Sequence, residues 1–204
     1  MNAYSVIDLF ERRVAEFSGA KYGVAVESCT AALFLSMYLL RGRSNDCHVK
    51  VPKKTYLSVP MAVIHAGFNV EFCDIEWTGA YQLDPLPVVD GAKRFKRGMY
   101  QGGFHCLSFH TKKNIPIGRG GMILLDDADD AAMLKKLRYD GRSGKPYQEE
   151  MVDVLGWNMY MTPDMAARGM MFMDIMPTAD GFCDQFEDYP DLTKHPAFHG
   201  PRFK

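Results

Sequence analysis

A chain of 204 residues, 47% apolar and 24% charged, can bury one sizeable core, held in one domain or in two small ones. Its formal net charge of -1 gives no global field toward nucleic acid or an anionic membrane surface, so neither partner is expected. Five widely spaced cysteines (Cys29, Cys47, Cys73, Cys106 and Cys183), odd in number and mostly set in apolar runs, read as reduced core thiols and hence as a cytoplasmic setting.

In chain order, Val6, Leu9, Phe10, Val14 and Phe17 recur at helical spacing and predict a helix over 6–17, whose acidic residues stand where a signal peptide would be apolar. A buried-strand run follows over 22–26, then an almost wholly apolar helix over 31–40. Strands are expected over 48–52 and 69–74, separated by a helix over about 57–66 that tolerates Pro60 only in its first turn. Three more strand runs occupy 86–89, 105–109 and 122–125, and a helix covers about 129–138. Thr162-Pro163-Asp164 reads as an N-cap and first turn, opening a methionine-rich helix that is core or subunit interface. After about Pro177 the chain turns polar and aromatic with scattered prolines. The division expected is therefore a domain over 1–177 and an irregular tail over 178–204. Such alternation implies an α/β fold with a mainly parallel sheet covered by helices on both faces. No apolar run approaches the roughly 18 residues of a membrane span.

Open α/β sheets bind ligands outside the carboxyl ends of their strands, so chemistry should collect in the residues that follow each run. After the 105–109 run come Thr111, Lys112, Lys113 and Asn114, then Gly118, Gly120 and Gly121. A lysine fixed beyond a strand end, before glycines that let backbone approach closely, suits covalent capture of an aldehyde. After the 22–26 run, Ser28-Cys29-Thr30 opens a helix at once. Its free N–H groups and the Thr30 hydroxyl can hold a phosphate, or Ser28 or Thr30 can serve as a plain N-cap. Tyr56, after the 48–52 run, is either a ring-stacking residue or a strand-end aromatic with a wet hydroxyl. Asp90, ending the 86–89 run, is either a turn residue before Gly91 or a buried acid that needs a cationic partner. Lys93, Arg94, Lys96 and Arg97 form a basic cluster, either a solvated face or a substrate-phosphate site. His110 alone reads as a structural, hydrogen-bonded group.

Ser108-Phe109, a lysine five positions after the serine, Asn114 and the Gly118-x-Gly120-Gly121 cluster together resemble the pyridoxal-phosphate lysine segment of the DegT/StrS-type sugar aminotransferases, members of the aspartate aminotransferase fold. The resemblance implies that Lys113 carries the cofactor as a Schiff base. It assigns Cys29, Thr30 and Ser108 to the cofactor phosphate and Tyr56 to the pyridine face. Asp90 would contact the ring nitrogen and Ala92 would pack on the ring. Gly156-Trp157-Asn158 resembles the family element whose asparagine reaches the phosphate of the neighbouring subunit, so Asn158 implies a homodimer. Cys29 stands where the family usually has glycine, Lys93 where it has glutamine or histidine, and Tyr160 where it has arginine.

What the resemblance implies overall is an aspartate-aminotransferase-like large domain lacking one strand and the small C-terminal domain. Such a domain would bind pyridoxal 5'-phosphate and transfer an amino group from an amino-acid donor to a keto sugar linked to a nucleotide. Lys113 and Asp90 are then the catalytic pair, and no metal is expected. The alternative is a degenerate, non-catalytic member acting as a partner or regulatory subunit.

Overall fold

Helix α1 (Ser5–Ser18) forms because Ile7, Phe10, Val14 and Phe17 fall on one buried face, and it stops where Gly19 adopts φ 86. That left-handed conformation lets the Gly19 N–H reach Ala15 O at 2.9 Å, closing the last turn. The computed structural model describes residues 4–45, 48–175, 184–185 and 187–199. In it the chain continues through β1 (Tyr22–Val26), α2 (Cys29–Arg41), β2 (His48–Pro52), α3 (Ser58–His65), β3 (Asn69–Cys73), β4 (Tyr81–Gln82), β5 (Val88–Asp90), β6 (Phe104–Ser108), β7 (Gly121–Leu125), α4 (Ala128–Leu137) and α5 (Pro163–Ile175). Cys47, Cys183 and the expected 177/178 boundary lie outside the described residues.

The sheet is mixed, which corrects the expectation of a mainly parallel one. Five strands pair in the order β1-β7-β6-β5-β4, while β2 and β3 form a separate parallel pair. Strand β7 inserts between β1 and β6 and runs antiparallel to both, with Val26 opposite Gly121 and Ser108 opposite Gly121. The reason is the connection over 109–120, a returning loop in place of a crossover helix, and only a crossover would bring the next strand back parallel. β1, β5 and β6 therefore share one direction, and their carboxyl ends at Val26, Asp90 and Ser108 collect at one edge beside Gly121.

Between β3 and β5 the chain makes turns and the short β4, which runs antiparallel to β5 with Tyr81 opposite Asp90. Just beyond β4, Asp84 O accepts the Lys50 N–H at 2.7 Å, so this connection fills the space between the two sheets.

Strand residues alternate between two cores, as period-two side chains must. Val24, Val26, Cys106, Ile123 and Leu125 pack with α2, α3 and α4, whereas Ala25, Leu107, Met122 and Leu124 pack with α1 and α5. The α1–α5 contact is close: a Cβ on Gly169 would stand 2.5 Å from the Phe10 ring. The described part of the C-terminal segment also packs on the body, with Leu192 only 1% exposed and its N–H bonded to Lys53 O at 2.8 Å.

One buried charge ties the helices to β1. Glu11 of α1 is 2% exposed, accepts the Ala25 N–H at 2.9 Å, and is paired with Arg138 just after α4 and with Lys135 at 2.7 Å. Removing Arg138 strips the buried carboxylate of one of its two cations and leaves Lys135 and the Ala25 N–H to hold it. Arg138→Met should therefore cost about 1–3 kcal/mol, read as a lowered urea midpoint at unchanged m-value. A loss under about 1 kcal/mol would show that the pair sits in a wetter environment than its burial indicates.

Candidate active site

Asp90 ends β5 with its side chain turned into the protein, 5% exposed. Its Oδ2 accepts the Tyr81 hydroxyl at 2.9 Å and its Oδ1 accepts the Ala92 N–H at 3.0 Å, while the Cys29 thiol lies 4.0 Å from Oδ1. Tyr81 is held in turn by Thr55, whose Oγ1 is 2.6 Å from the tyrosine oxygen. Burial raises the Asp90 carboxyl above its ordinary value, opposed by the Ala92 N–H, the Tyr81 hydroxyl and the charges of Lys113 and Lys93. Burial, then Asp90 itself, raises both Tyr81 and Cys29 well above their usual ranges, so both stay protonated.

An acid with a raised folded pKa contributes stability that is complete below its unfolded pKa and is lost as pH rises through the folded value. Ionised Asp90 thus strains the protein when no cation faces it. Without added cofactor, Asp90→Asn should melt at a higher temperature than the parent near about pH 8, with the gap closing below about pH 4. An equal or lower Tm at the higher pH would contradict this.

Lys113 lies in the turn after β6, with its N–H bonded to His110 O at 2.8 Å. The residue is half-buried, and burial followed by the charge of Lys93 lowers its amine below the ordinary lysine value, against the pull of Asp90 and Glu187. Lys112 beside it is exposed. The side-chain nitrogen of Asn114 is buried with no hydrogen-bond partner among the described residues.

The start of α2 meets the start of β7. Ser28 caps the helix, its Oγ accepting the Ala31 N–H at 3.1 Å, and Thr30 Oγ1 lies 2.7 Å from Ser58 Oγ in the first turn of α3. Gly121 permits the approach, since a Cβ there would stand 2.5 Å from the Ser28 carbonyl. Ser108, opposite Gly121 across the ladder, accepts the His110 N–H at 3.4 Å. β7 thus brings Ser108 beside the α2 N-terminus, where unpaired N–H groups favour an anion.

Tyr56 is 55% exposed and meets the Tyr189 ring edge-on at 6.4 Å. Asn158 is exposed and donates to Asp140 Oδ2 at 3.1 Å, so its contacts lie apart from Asp90 and Lys113. Of the basic cluster, Arg94 and Lys96 pair with Asp184, and Lys93 is buried and paired with Glu187. Tyr81, Thr55, Glu187 and Tyr189 were not expected from the sequence. The two-residue β4 shows no alternation to reveal Tyr81, and Glu187 is one acid among several in a polar stretch.

A cavity of about 500 Å³ opens elsewhere, near α1 and α4, lined by Tyr4, Tyr139, Tyr160, Lys135, Arg138 and Arg142. Its cations already have partners: Glu11 takes Lys135 and Arg138, and Arg142 Nη1 donates to the Tyr139 hydroxyl at 2.9 Å.

This architecture is that of solved aminotransferases. AtS13 from Actinomadura melliaura superposes with a TM-score of 0.73 at 18% identity, covering 84% of this chain and 61% of that one. Helicobacter pylori PseC, an aminotransferase involved in the biosynthesis of pseudoaminic acid, superposes with a TM-score of 0.69 at 18% identity, covering 85% of this chain and 62% of that one. The sequence narrows this further: the profile of the DegT/DnrJ/EryC1/StrS aminotransferase family matches residues 1–90 and 93–178, and the chain belongs to that family. Pyridoxal phosphate is the cofactor of the family.

Among curated relatives, the spore coat polysaccharide biosynthesis protein SpsC of Bacillus subtilis (strain 168) is 28% identical over 218 residues, covering 80% of this chain and 55% of the relative. GDP-perosamine synthase of Caulobacter vibrioides is 26% identical over 204 residues, covering 79% and 54%. The chain spans about half the length of these curated relatives. Among the described residues no helix is long and apolar enough to cross a membrane.

Proposed function

We propose that this chain binds pyridoxal phosphate at the carboxyl ends of β1, β5 and β6 and serves amino transfer from an amino acid to a keto sugar carried on a nucleotide. The observation that carries this reading is the convergence of buried Asp90 at the end of β5, Ser108 at the end of β6 and the Ser28-capped start of α2 after β1, with Lys113 in the turn that follows β6. The donor set suits the cofactor: an acid for the ring nitrogen, an amine for the aldehyde, and a helix start with Ser108 and Thr30 for the phosphate.

When bound, pyridoxal phosphate supplies an electron sink for the substrate carbon that bears the nitrogen. Asp90 would face the ring nitrogen and hold a proton there, and a positive charge at that place would favour the ionised carboxylate. Lys113, with a larger neutral fraction than an exposed lysine, takes a proton at Nζ and returns it, the role of a general base and then a general acid. Tyr56 would cover the ring and Ala92 would pack against it. Asn158, exposed and away from this cluster, serves the phosphate of a neighbouring copy in a homodimer.

Similarity to GDP-perosamine synthases supports a nucleotide-linked sugar as the substrate, and so does the family membership. The test is to load the protein with cofactor, add L-glutamate, and measure 2-oxoglutarate released per site. Near-stoichiometric release supports amino transfer, and no 2-oxoglutarate from glutamate together with no pyridoxamine phosphate formed from any nucleotide amino sugar leaves the non-catalytic alternative.

A further inference from the structure

Tyr81 is set on Asp90 by backbone and side chain together. In the β4–β5 ladder the two residues stand directly opposite, so their side chains share one face, and the Leu83 N–H closes the connection on Val88 O at 2.8 Å. The tyrosine gives its hydroxyl to Asp90 Oδ2 at 2.9 Å and lies 2.6 Å from Thr55 Oγ1. A hydroxyl has one proton to give, so while Tyr81 donates to the carboxylate, Thr55 donates to Tyr81. Both are buried, 8% and 1% exposed. The ring is held as well: Trp77 packs on it with centroids 4.6 Å apart, and Trp77 Nε1 donates to Lys54 O at 2.9 Å, next to Thr55.

Both oxygens of Asp90 are thereby engaged from fixed points, Oδ1 by the Ala92 N–H at 3.0 Å and Oδ2 by Tyr81. Anchors at the two oxygens set the plane of the carboxylate, and each oxygen keeps a lone pair for a further donor. Hydrogen bonds given to a carboxylate also favour its ionised form, here against burial, the largest influence on Asp90. The other titratable groups acting on Asp90 are Lys113 from the turn after β6, Lys93 just beyond β5, Cys29 from α2, Cys106 from β6 and Tyr189 from the C-terminal segment. Burial pushes the two thiols and Tyr189 up, so all three stay neutral. Among the described residues, Tyr81 is the one side chain whose oxygen or nitrogen donates a hydrogen bond to Asp90.

We propose that Tyr81, braced by Thr55, is a positioning residue that holds the Asp90 carboxylate in one plane as an acceptor for a protonated ring nitrogen. The inference rests on the cofactor reading above for the identity of the ring, whereas the hold on Asp90 is present without it.

The first readout needs no cofactor. With aspartate labelled at its carboxyl carbon, the Asp90 resonance is assigned by its loss in Asp90→Asn and followed across pH. Tyr81→Phe keeps the ring against Trp77 and removes only the hydroxyl, so it should move the Asp90 midpoint upward by about one pH unit or more. Thr55→Val should move it the same way by less. The double variant Tyr81→Phe with Thr55→Val leaves no hydroxyl orphaned and should keep the full shift, which preserves the test if Tyr81→Phe alone folds poorly. The second readout uses pyridoxal phosphate carrying nitrogen-15 in its ring. The bound ring resonance should move toward that of unprotonated pyridine in Tyr81→Phe, and Tyr81→Phe should add nothing in an Asp90→Asn background. An unchanged Asp90 midpoint in folded Tyr81→Phe, or a ring resonance that responds to Tyr81→Phe equally with Asp90 replaced, would overturn the proposal while leaving the cofactor reading in place. A shifted midpoint in a protein that takes up no cofactor would overturn the cofactor reading while supporting the hold of Tyr81 on Asp90.

Discussion

Lys113→Ala should reduce glutamate-dependent release of 2-oxoglutarate by at least about a thousandfold, while Lys112→Ala should change it by less than about twofold. The contrast follows from position. The two lysines are adjacent in sequence, yet Lys112 is exposed and Lys113 is half-buried within the field of Asp90 and Lys93. In the proposed function Lys113 both captures the aldehyde and shuttles the proton, so its loss should remove two effects together. The pH profile carries the same information. Because burial and Lys93 lower the Lys113 amine, the reaction should rise with pH through an ionisation below the ordinary lysine value of about 10.4. An equal loss in Lys112→Ala would mean that the turn presents the other amine.

The second large effect is structural and falls at Gly121. A Cβ there would stand 2.5 Å from the Ser28 carbonyl and 2.7 Å from Cys29 N, at the point where β7 meets the start of α2. Backbone on both sides leaves nothing flexible to yield, so Gly121→Ala should cost about 1–3 kcal/mol in urea unfolding and should also weaken cofactor binding by shifting the α2 N-terminus. Gly42→Ala is the natural control, since a Cβ at Gly42 meets nothing within 4 Å. A Gly121→Ala protein with unchanged midpoint and unchanged cofactor affinity would show that the helix start is not held by this approach.

Much of this architecture was legible in the sequence, for physical reasons that also mark the limits. The helical spacing of Phe10, Val14 and Phe17 produced α1, and the short apolar runs produced β1, β6 and β7. Strand direction was not legible. Gly121–Leu125 is buried along its whole length, and an unbroken apolar run carries no sign of which way it lies against its neighbours. The length and composition of the 109–120 loop were the available clue to the antiparallel return.

At the site, residues that end strands were easy to find because the chain order alone brings Asp90, Ser108 and the α2 start to one edge. The partners that set their chemistry were not. Tyr81 reaches Asp90 from a two-residue strand, and Glu187 meets Lys93 across 94 positions of sequence. The expectation that Lys93 belongs to a solvated basic face gave way because the C-terminal segment folds over it, a contact that no local pattern records. Charge pairing at such separations depends on the completed fold.

The most direct test of the account is to locate the cofactor. Wild-type protein is incubated with pyridoxal phosphate, reduced with borohydride, digested, and its peptides weighed. The expected result is one modified peptide, with the added mass on Lys113 and none on Lys112. Modification of Lys112, or a protein that binds the cofactor reversibly and carries no added mass on any lysine, would contradict the assignment of Lys113 and with it the proposed amino transfer.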